Sequence, residues 1–406
     1  MVGYGHDSCL QKIASMKITN SCYGRFHMFD QAAQLYRHNV LHRLINDYPK
    51  CITRRWGIPD SKVTSMLLNG IYGRGVCRLF PWLSFHVQSQ VTESIHHQFS
   101  SRLANHLPAD SDIFIGLSSF CLEAIERAKE QGIVTIVDHG SLHQEAERRI
   151  QFEEAELWGL PIESGLPPHW LIEKENQEFR SADRVIVLSE IAKRTMVESG
   201  IPESKIFVTH CGVDLALFQP GEKRDEVFRI IQVGGIHQRK GVQYLIRAFS
   251  EMRLPNSELW FVGGGLKSST LGPIIRRYQA DNIIFKGSYP QHELRQLYSQ
   301  ASIFVLASVA DGFGMVVPQA MACGLPVIVT DHVGAADVVQ DGRNGFVIPS
   351  RDINALKDRL LYCYENSAQC RLMGEHALRS IRLGSTWNNY GDRLVSYLHA
   401  LMDCTQ

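Results

Sequence analysis

The sequence lacks the features that mark several large classes of protein. None of its ten cysteines forms a CxxC pair, and several lie inside apolar runs, so buried free thiols are expected rather than a disulfide or zinc framework. No apolar run is long enough to span a bilayer. The polar first residues lack the apolar core of a signal peptide, so we expect no leader. Together these absences favour the reducing cytoplasm.

A net charge is also absent, because 42 Lys and Arg balance 42 Asp and Glu. The distribution is uneven, since residues 1–102 contain twelve Lys or Arg but only five Asp or Glu. This excess predicts a surface that faces an anion, either an anionic membrane or a phosphorylated acceptor, with an ordinary solvated face as the alternative. Segment 78–85 is apolar and aromatic beside basic residues, which favours core packing over lipid contact. No nucleic acid is expected as a partner.

The length of 406 residues predicts two domains. Short apolar runs alternate with helical patterns along most of the chain, which is typical of α/β domains with parallel sheets. Residues 18–33 are predicted to form a loop followed by a helix. Strands are predicted at 112–116, 133–138, 184–188, 228–233, 258–262, 282–285, 301–306 and 326–330.

The most informative segment follows the strand that ends near residue 306. Gly312 and Gly314 leave the backbone uncovered where a helix is predicted to begin, and this helix is expected to end at Gly324. The N–H groups of Gly314, Met315 and Val316 would then face any ligand there, and the helix dipole favours an anion such as a pyrophosphate. The alternative is that the two glycines only form a tight turn around Phe313.

A second segment combines a strand, a glycine turn and two cations. Gly234 and Gly235 follow the strand at 228–233, and Arg239 and Lys240 precede the next helix, where they could neutralise a diphosphate. A solvated helix start is the alternative. A GxGxxG dinucleotide fingerprint is absent. Gly264, in the turn after the following strand, is a plausible wall of the nucleotide pocket.

The segment from Asp311 to residue 328 resembles the donor-site signature of the retaining glycosyltransferases of family 4 (glycosyl transferases group 1), which have the GT-B fold. In that family two glutamates stand where this chain has Asp311 and Gln319. The first contacts the donor sugar and the second holds the ribose hydroxyls. Lys240 matches the lysine of the family, whereas Gly235 stands where the family often has arginine, so Arg239 is expected to supply that charge.

The resemblance extends to the first domain, which implies an acceptor and cleft site there. Gly24 would let the backbone approach the donor phosphates, with Arg25 or His27 in contact, although His27 could equally be a capping or core residue. The family often has a histidine facing the donor sugar after the strand at 133–138. His139 is the nearest match, and His143 competes with it. Because this HxxxH pair lies in a glycine loop, no metal site is predicted.

The resemblance implies two Rossmann-like domains, at 1–211 and 212–386, with parallel sheets facing a central cleft, and a helix at 387–406 that crosses back to the first domain. It implies transfer of a sugar from a nucleotide diphosphate to an acceptor hydroxyl with retention of configuration, without metal or further cofactor. Asp311, His139, Lys240 and Arg239 are the predicted catalytic residues. The product would be a polysaccharide, glycolipid or glycoconjugate, made in the cytoplasm or at the inner face of the membrane.

Two other functions stay open at this point. The replacement of the second glutamate by Gln319 would also suit a catalytically silent sugar-nucleotide binder or assembly partner, whereas the retention of Asp311, Arg239 and Lys240 counts against that function. A sugar-nucleotide epimerase of the same fold would convert the donor with no acceptor present.

Overall fold

The computed structural model describes residues 16–71, 85–163 and 166–404, and the side chains of segment 78–85 lie outside the described part. Two parallel β-sheets organise the described residues, which confirms the predicted pair of α/β domains. No helix within these ranges is long and apolar enough to cross a membrane.

The first domain is built on a seven-stranded parallel sheet with the order β3-β2-β1-β4-β5-β6-β7. Its strands are Ile18–Cys22 (β1), Leu41–Asn46 (β2), Val63–Ser65 (β3), Ile113–Leu117 (β4), Val134–His139 (β5), Arg184–Val187 (β6) and Ile206–Val208 (β7). The labelled helices are Met28–Arg37 (α1), Lys50–Thr53 (α2), Phe85–His106 (α3), Leu122–Glu130 (α4), Gln144–Trp158 (α5), His169–Ser181 (α6) and Glu190–Glu198 (α7).

The second domain is built on a six-stranded parallel sheet with the order β10-β9-β8-β11-β12-β13. Its strands are Phe228–Val233 (β8), Ser257–Val262 (β9), Ile283–Gly287 (β10), Ile303–Leu306 (β11), Val327–Thr330 (β12) and Gly345–Ile348 (β13). The helices are Val242–Met252 (α8), Gly272–Tyr278 (α9), Leu294–Ser299 (α10), Val316–Ala322 (α11), Ile353–Glu365 (α12), Ser367–Gly384 (α13) and Trp387–Asp403 (α14).

Short apolar runs give the strands of both sheets, because parallel strands covered by helices are buried on both faces. The predicted strands of both halves form, with ends shifted by a residue or two. The prediction of a loop at the start of 18–33 is wrong, since Ile18–Cys22 is a fully buried central strand. Its middle residues are the polar Thr19, Asn20 and Ser21, which hide the apolar pattern of a strand.

The chain passes between the domains at two adjacent places. Val213 donates its N–H to the carbonyl of Ser385 at 2.9 Å, so the outgoing and returning segments lie side by side. A Cβ atom on Gly212 would lie 2.3 Å from the backbone nitrogen of Trp387, so only glycine permits this approach. Beyond this crossing, α14 returns to the first domain and packs on α1.

Candidate functional site

The predicted site residues gather at the carboxyl ends of the strands, where ligands bind in open parallel α/β sheets. In the second domain, the turns after β8 and β11 bring the 239–240 and 311–316 segments together. Gly241, at a φ of +67°, allows this, because a Cβ atom there would lie 1.7 Å from the carbonyl oxygen of Ala307. A side chain at position 241 would therefore push the two segments apart.

Lys240 and Asp311 form an ion pair at the centre of this junction, through Nζ and Oδ2. Their side chains are only 15% and 10% exposed, so water screens the pair poorly. Burial raises the pKa of Asp311, but the charges of Lys240 and Arg239 outweigh it and leave that pKa below its ordinary value. Asp311 is therefore ionised at neutral pH and holds the ammonium group in place.

Arg239 is held from both domains. Its Nη1 donates to the carbonyl of Ala310 at 2.8 Å, within the second domain. Its Nε lies 3.4 Å from Oε1 of Glu147, which belongs to α5 of the first domain. The guanidinium is therefore fixed at the domain boundary, next to the ion pair of Lys240.

A cavity of about 300 Å³ lies between the two domains beside Arg239. Glu147, Gln151 and Glu163 line it from the first domain, and His237 and Arg239 line it from the second. Oε1 of Glu163 accepts the backbone N–H of Gln238 at 2.8 Å, so this acid also joins the two domains. Burial lowers the pKa of His237 to about 4, which leaves it neutral at pH 7. The cavity is therefore polar and carries charges of both signs.

Gln319 lies in α11 with only 5% of its surface exposed. Its Oε1 atom is buried without a hydrogen-bond partner among the described residues. A buried acceptor left unpaired costs about 1–3 kcal/mol, so it is a position at which a ligand hydroxyl would be stabilising.

Helix α11 begins two residues later than the sequence predicts. The helix spans Val316–Ala322, whereas the sequence predicted a start at Gly314. Gly314 takes a left-handed φ of +85°, and Met315 is the cap residue. Phe313 is 2% exposed and lies against the ring of His210, with 6.1 Å between the ring centroids. Phe313 therefore supports the loop and does not line the cavity.

Glycines after β8 and β9 shape the other side of the junction. Gly234 donates its N–H to the carbonyl of Val262 at 2.9 Å, and the carbonyl of Gly264 accepts from Ile236 at 2.8 Å. A Cβ atom on Gly235 would lie 2.7 Å from the imidazole of His237. These glycines bring the two loops together, and no cation occupies position 235.

The two domains touch directly at Gly312. A Cβ atom there would lie 2.5 Å from the carbonyl oxygen of Gly140 and 2.4 Å from Cα of Ser141, both in the loop after β5. The hydroxyl of Ser189 donates to the carbonyl of Gly312 at 2.6 Å. The first-domain loops after β5 and β6 therefore close over the loop that carries Asp311.

Neither His139 nor His143 opens onto this cleft, as each residue is only 1% exposed. The Nδ1 atom of His139 lies 2.9 Å from Oγ of Ser118, and its Nε2 lies 3.1 Å from the carbonyl of Leu142. His143 caps α5 and lies 2.8 Å from Oδ1 of Asn176. Burial lowers the pKa of both imidazoles. In this structure the two histidines are neutral internal supports.

The remaining first-domain candidates lie in the loop after β1. Gly24 donates its N–H to Oδ1 of Asp47 at 2.8 Å, and exposed Arg25 lies 5.4 Å from the ring centroid of Trp56. His27 pairs through Nε2 with Oδ1 of Asp138 at 2.7 Å. The His27 side chain is 8% exposed, so it is also largely enclosed.

The sequence reasoning missed the acids that organise these contacts. Asp138 ends the apolar run of β5, so a charged residue closing a buried strand was the available signal. Glu147 and Glu163 lie in the acidic stretch between β5 and β6, and nothing in their spacing showed that they would meet the second domain.

Two models of known protein families match this chain, one mainly in each domain. The model of Glycosyltransferase Family 4 matches residues 98–217, and that of Glycosyl transferases group 1 matches residues 215–379. Together they match well over half of the chain. D-inositol 3-phosphate glycosyltransferase of Mycobacteroides abscessus is 29% identical over 249 residues, which are 56% of this chain and 54% of that protein. This chain spans about half the length of the first curated relatives that it matches.

Solved structures share the fold over nearly the whole chain. Sucrose-phosphate synthase of Thermosynechococcus elongatus superposes with a TM-score of 0.69 at 16% identity, covering 96% of this chain and all of the other. HepE of Anabaena, in complex with UDP and glucose, gives a TM-score of 0.63 at 17% identity, covering 95% of this chain and all of the other. At these identities the likeness is one of fold.

Proposed function

Because the chain belongs to the glycosyltransferases of the GT-B fold, we propose that it transfers a sugar from a nucleotide diphosphate to an acceptor hydroxyl with retention of configuration. The buried ion pair of Lys240 and Asp311, at the boundary of the two domains, carries this proposal. It places a cation and a carboxylate together in a poorly screened site. The cation can bind the diphosphate of a donor, and the carboxylate can accept hydrogen bonds from sugar hydroxyls.

The donor contacts follow from the chemistry of each side chain. Lys240 and Arg239 would meet the diphosphate, since each can donate charge-assisted hydrogen bonds to phosphate oxygens. Asp311 would accept hydrogen bonds from the sugar hydroxyls. Oε1 of Gln319 would accept one from the ribose, which would relieve its buried and unpaired state.

In the proposed reaction, the bond between the anomeric carbon and the phosphate oxygen breaks as a bond to the acceptor oxygen forms on the same face of the sugar. The electron pair of the broken bond stays on the nucleotide diphosphate, which also takes the proton of the acceptor hydroxyl. Lys240 and Arg239 stabilise the developing charge on the diphosphate. No metal or further cofactor is required in this scheme, because the two side chains supply the positive charge.

We further propose that the product is a glycan or glycolipid and that the first domain approaches an anionic membrane. The name of WcaL, a relative from Escherichia coli K12 that is 28% identical over 195 residues, assigns it to colanic acid biosynthesis. Leu68 and Ile71, in helical residues 67–71, are 72% and 64% exposed and lie within residues 1–102, the part of the sequence with an excess of Lys and Arg. Exposed apolar side chains beside cations favour contact with an anionic lipid surface.

The test is a panel of UDP-, GDP- and ADP-sugars, with nucleotide release measured for the wild type and for Lys240→Met. UDP-sugars come first, because HepE was solved with UDP-glucose. We expect release from one donor, and a loss of at least about 100-fold in the variant, since a charged transition-state contact is removed. Lys357→Met is the matched control, because Lys357 forms an ion pair with Glu251 away from the cleft.

Other outcomes would identify another function. Binding of a donor with no release, in the presence of acceptor extracts, would indicate a silent sugar-nucleotide binder. Conversion of the donor sugar without any acceptor would indicate an epimerase. Equal loss in Lys240→Met and Lys357→Met would contradict the assigned role of Lys240.

A further inference from the structure

The cavity between the two domains is separate from most of the proposed donor contacts. Among the described side chains assigned to the donor, Arg239 lines it, whereas Lys240, Asp311 and Gln319 do not. Pockets that hold small molecules measure roughly 300–1,000 Å³. With about 300 Å³, this one has room for a single monosaccharide but not for a chain of sugars or a lipid tail.

Arg239 connects this cavity to the segment assigned to the donor. Its Nη1 donates to the carbonyl of Ala310 at 2.8 Å, and Ala310 directly precedes Asp311. A ligand in the cavity therefore lies beside the guanidinium that contacts the donor segment. An acceptor needs such a position, because its hydroxyl oxygen has to reach the anomeric carbon of the donor sugar.

The first-domain wall of the cavity is acidic. Glu147 and Gln151 reach it from α5, and Glu163 reaches it from the segment between α5 and α6. The side chains of Glu147 and Glu163 are 13% and 14% exposed, so both carboxylates are mostly enclosed. Within the described ranges, no lysine or arginine of the first domain lines the cavity.

Each of the two carboxylates is held through one oxygen. Oε1 of Glu147 lies 3.4 Å from Nε of Arg239, and Oε1 of Glu163 accepts the backbone N–H of Gln238 at 2.8 Å. Oε2 of Glu163 lies 3.8 Å from Nδ1 of His237, which is beyond hydrogen-bond range. Oε2 of Glu147 has no hydrogen-bond partner among the described residues. Both glutamates are therefore fixed in place and keep an acceptor oxygen for a ligand.

The charge of the cavity selects against an anion. Under the proposed function Arg239 is engaged by the diphosphate, and neutral His237 adds no positive charge. The described residues that line the cavity begin at Glu147, so the excess of Lys and Arg in residues 1–102 supplies no counter-charge. A phosphate in this enclosed space would be repelled by the carboxylates at short range. A sugar hydroxyl can instead donate a charge-assisted hydrogen bond to them.

We propose that this cavity binds the acceptor, and that the acceptor presents an uncharged sugar whose hydroxyls donate hydrogen bonds to Glu147 and Glu163. This inference rests on the proposed function. The two glutamates determine specificity, because they bind a neutral sugar and reject a phosphorylated or acidic one. The assignment argues against the phosphorylated acceptor that the charge distribution of the sequence suggested.

The first test is saturation-transfer NMR on the full chain. The probes are the methyl glycosides of glucose, galactose, mannose and N-acetylglucosamine, each compared with its 6-phosphate, with UDP, GDP and ADP added together. We expect saturation transfer to at least one neutral glycoside, and an affinity for its 6-phosphate that is lower by about 10-fold or more. Absence of transfer to every neutral glycoside would overturn the proposal. So would transfer that the nucleotides abolish, because the sugar would then occupy the donor site.

Two substitutions test the glutamates themselves. Glu163→Gln removes the charge but keeps an oxygen that can accept the N–H of Gln238, and Glu147→Gln is the second variant. For the glycoside that binds the wild type, we expect each to weaken binding by about 5- to 10-fold and to narrow the preference over the 6-phosphate by at least as much. Glu156→Gln is the matched control, because Glu156 is exposed on the same helix as Glu147.

Unchanged affinity in both variants would contradict the assignment. Circular dichroism and thermal melting identify a folding defect, and Glu147→Gln remains decisive if Glu163→Gln does not fold.

Transfer kinetics distinguish a failure of this inference from a failure of the proposed function. With the donor that releases nucleotide, Glu163→Gln should raise the KM for the acceptor and leave the KM for the donor unchanged. A wild type that transfers to a 6-phosphate more efficiently than to the neutral glycoside would refute this inference and leave the proposed function intact. A wild type that releases no nucleotide from any donor would refute both, whichever sugars it binds.

Discussion

The carboxylate of Glu154, in the first domain, is fully buried against Arg351 of the second domain. Its Oε1 lies 2.6 Å from Nε of the guanidinium. The hydroxyl of Tyr244 donates to Oε2 at 2.8 Å, and Gln243 donates to the same oxygen at 3.0 Å. These contacts fasten helix α5 to the second domain. The same helix also carries Glu147, which contacts Arg239.

We expect Glu154→Ala to lower the free energy of unfolding by about 3–5 kcal/mol, because it leaves Arg351, Tyr244 and Gln243 without their shared partner. Glu153→Ala is the matched control, since Glu153 contacts the same Arg351 but is 46% exposed, and it should cost less than about 1 kcal/mol. Denaturant unfolding measures both. Equal effects of the two substitutions would show that the buried contact does not fasten the domains.

Gln319→Leu is expected to leave the ligand-free protein as stable as the wild type or more stable, because it removes a buried and unpaired acceptor. The same change should weaken a bound ribonucleotide by about 10-fold and leave its 2′,3′-dideoxy analogue unaffected. Thermal melting and calorimetry give the two readouts. Gln131→Leu is the control, because its Oε1 is also buried and unpaired but lies in the first domain. Equal loss for both nucleotides would contradict a ribose contact.

Much of the fold could be predicted from the sequence because most strands are continuous apolar runs. Phe228–Val233 was predicted with its observed bounds, and its last five residues are buried. Ile18–Cys22 was missed because Thr19, Asn20 and Ser21 are buried despite being polar. Oγ1 of Thr19 pairs with the hydroxyl of Ser111, and Nδ2 of Asn20 donates to Oε1 of Gln31, so these polar residues are buried through tertiary contacts that no local pattern reveals.

The site was predictable only where its residues lie in one segment. Gly312, Gly314 and Gln319 share a stretch whose turn and helix are local, and Lys240 stands in an equally local turn. The ion pair between Lys240 and Asp311 joins residues 71 positions apart, and it depends on the backbone approach at Gly241. His139 was expected just after its strand but is the last residue of β5, and the contact of its Nδ1 with Oγ of Ser118 holds the ring inward, which the sequence does not show.

Two buried carboxyl groups in α6 should make stability depend on pH. Burial raises the pKa of Glu175 to about 7 and that of Glu178 to about 8. Since both values exceed the unfolded value of 4.5, the folded state binds more protons, and stability falls as pH rises from about 4.5 to about 8. The melting temperature of Glu178→Gln minus that of the wild type should therefore be higher at pH 8 than at pH 5.

The control for this prediction is Glu173→Gln in the same helix. Glu173 accepts a hydrogen bond from the amide of Gln177 on the exposed surface. Its melting temperature should differ from that of the wild type by the same amount at both pH values. A pH-independent difference for Glu178→Gln would contradict the raised pKa.

Binding to anionic vesicles at low salt should depend on Leu68 and Ile71. We expect Leu68→Asp with Ile71→Asp to abolish co-sedimentation, because the change removes exposed apolar surface and adds negative charge. Leu383→Asp is the control, since Leu383 is 71% exposed but belongs to α13 of the second domain. Wild-type protein that stays in the supernatant would exclude the membrane contact.

The most direct test of sugar transfer is to follow an isotopically labelled sugar from the donor selected by the panel into an acceptor fraction. Mass spectrometry locates the label, and NMR of the first product formed reads its anomeric configuration. The account predicts that the label joins the acceptor with the configuration of the donor, and that Asp311→Asn and Lys240→Met suppress this transfer. Label that stays on the nucleotide, or on an altered sugar still attached to it, would contradict the account, and an inverted product would contradict its retaining mechanism.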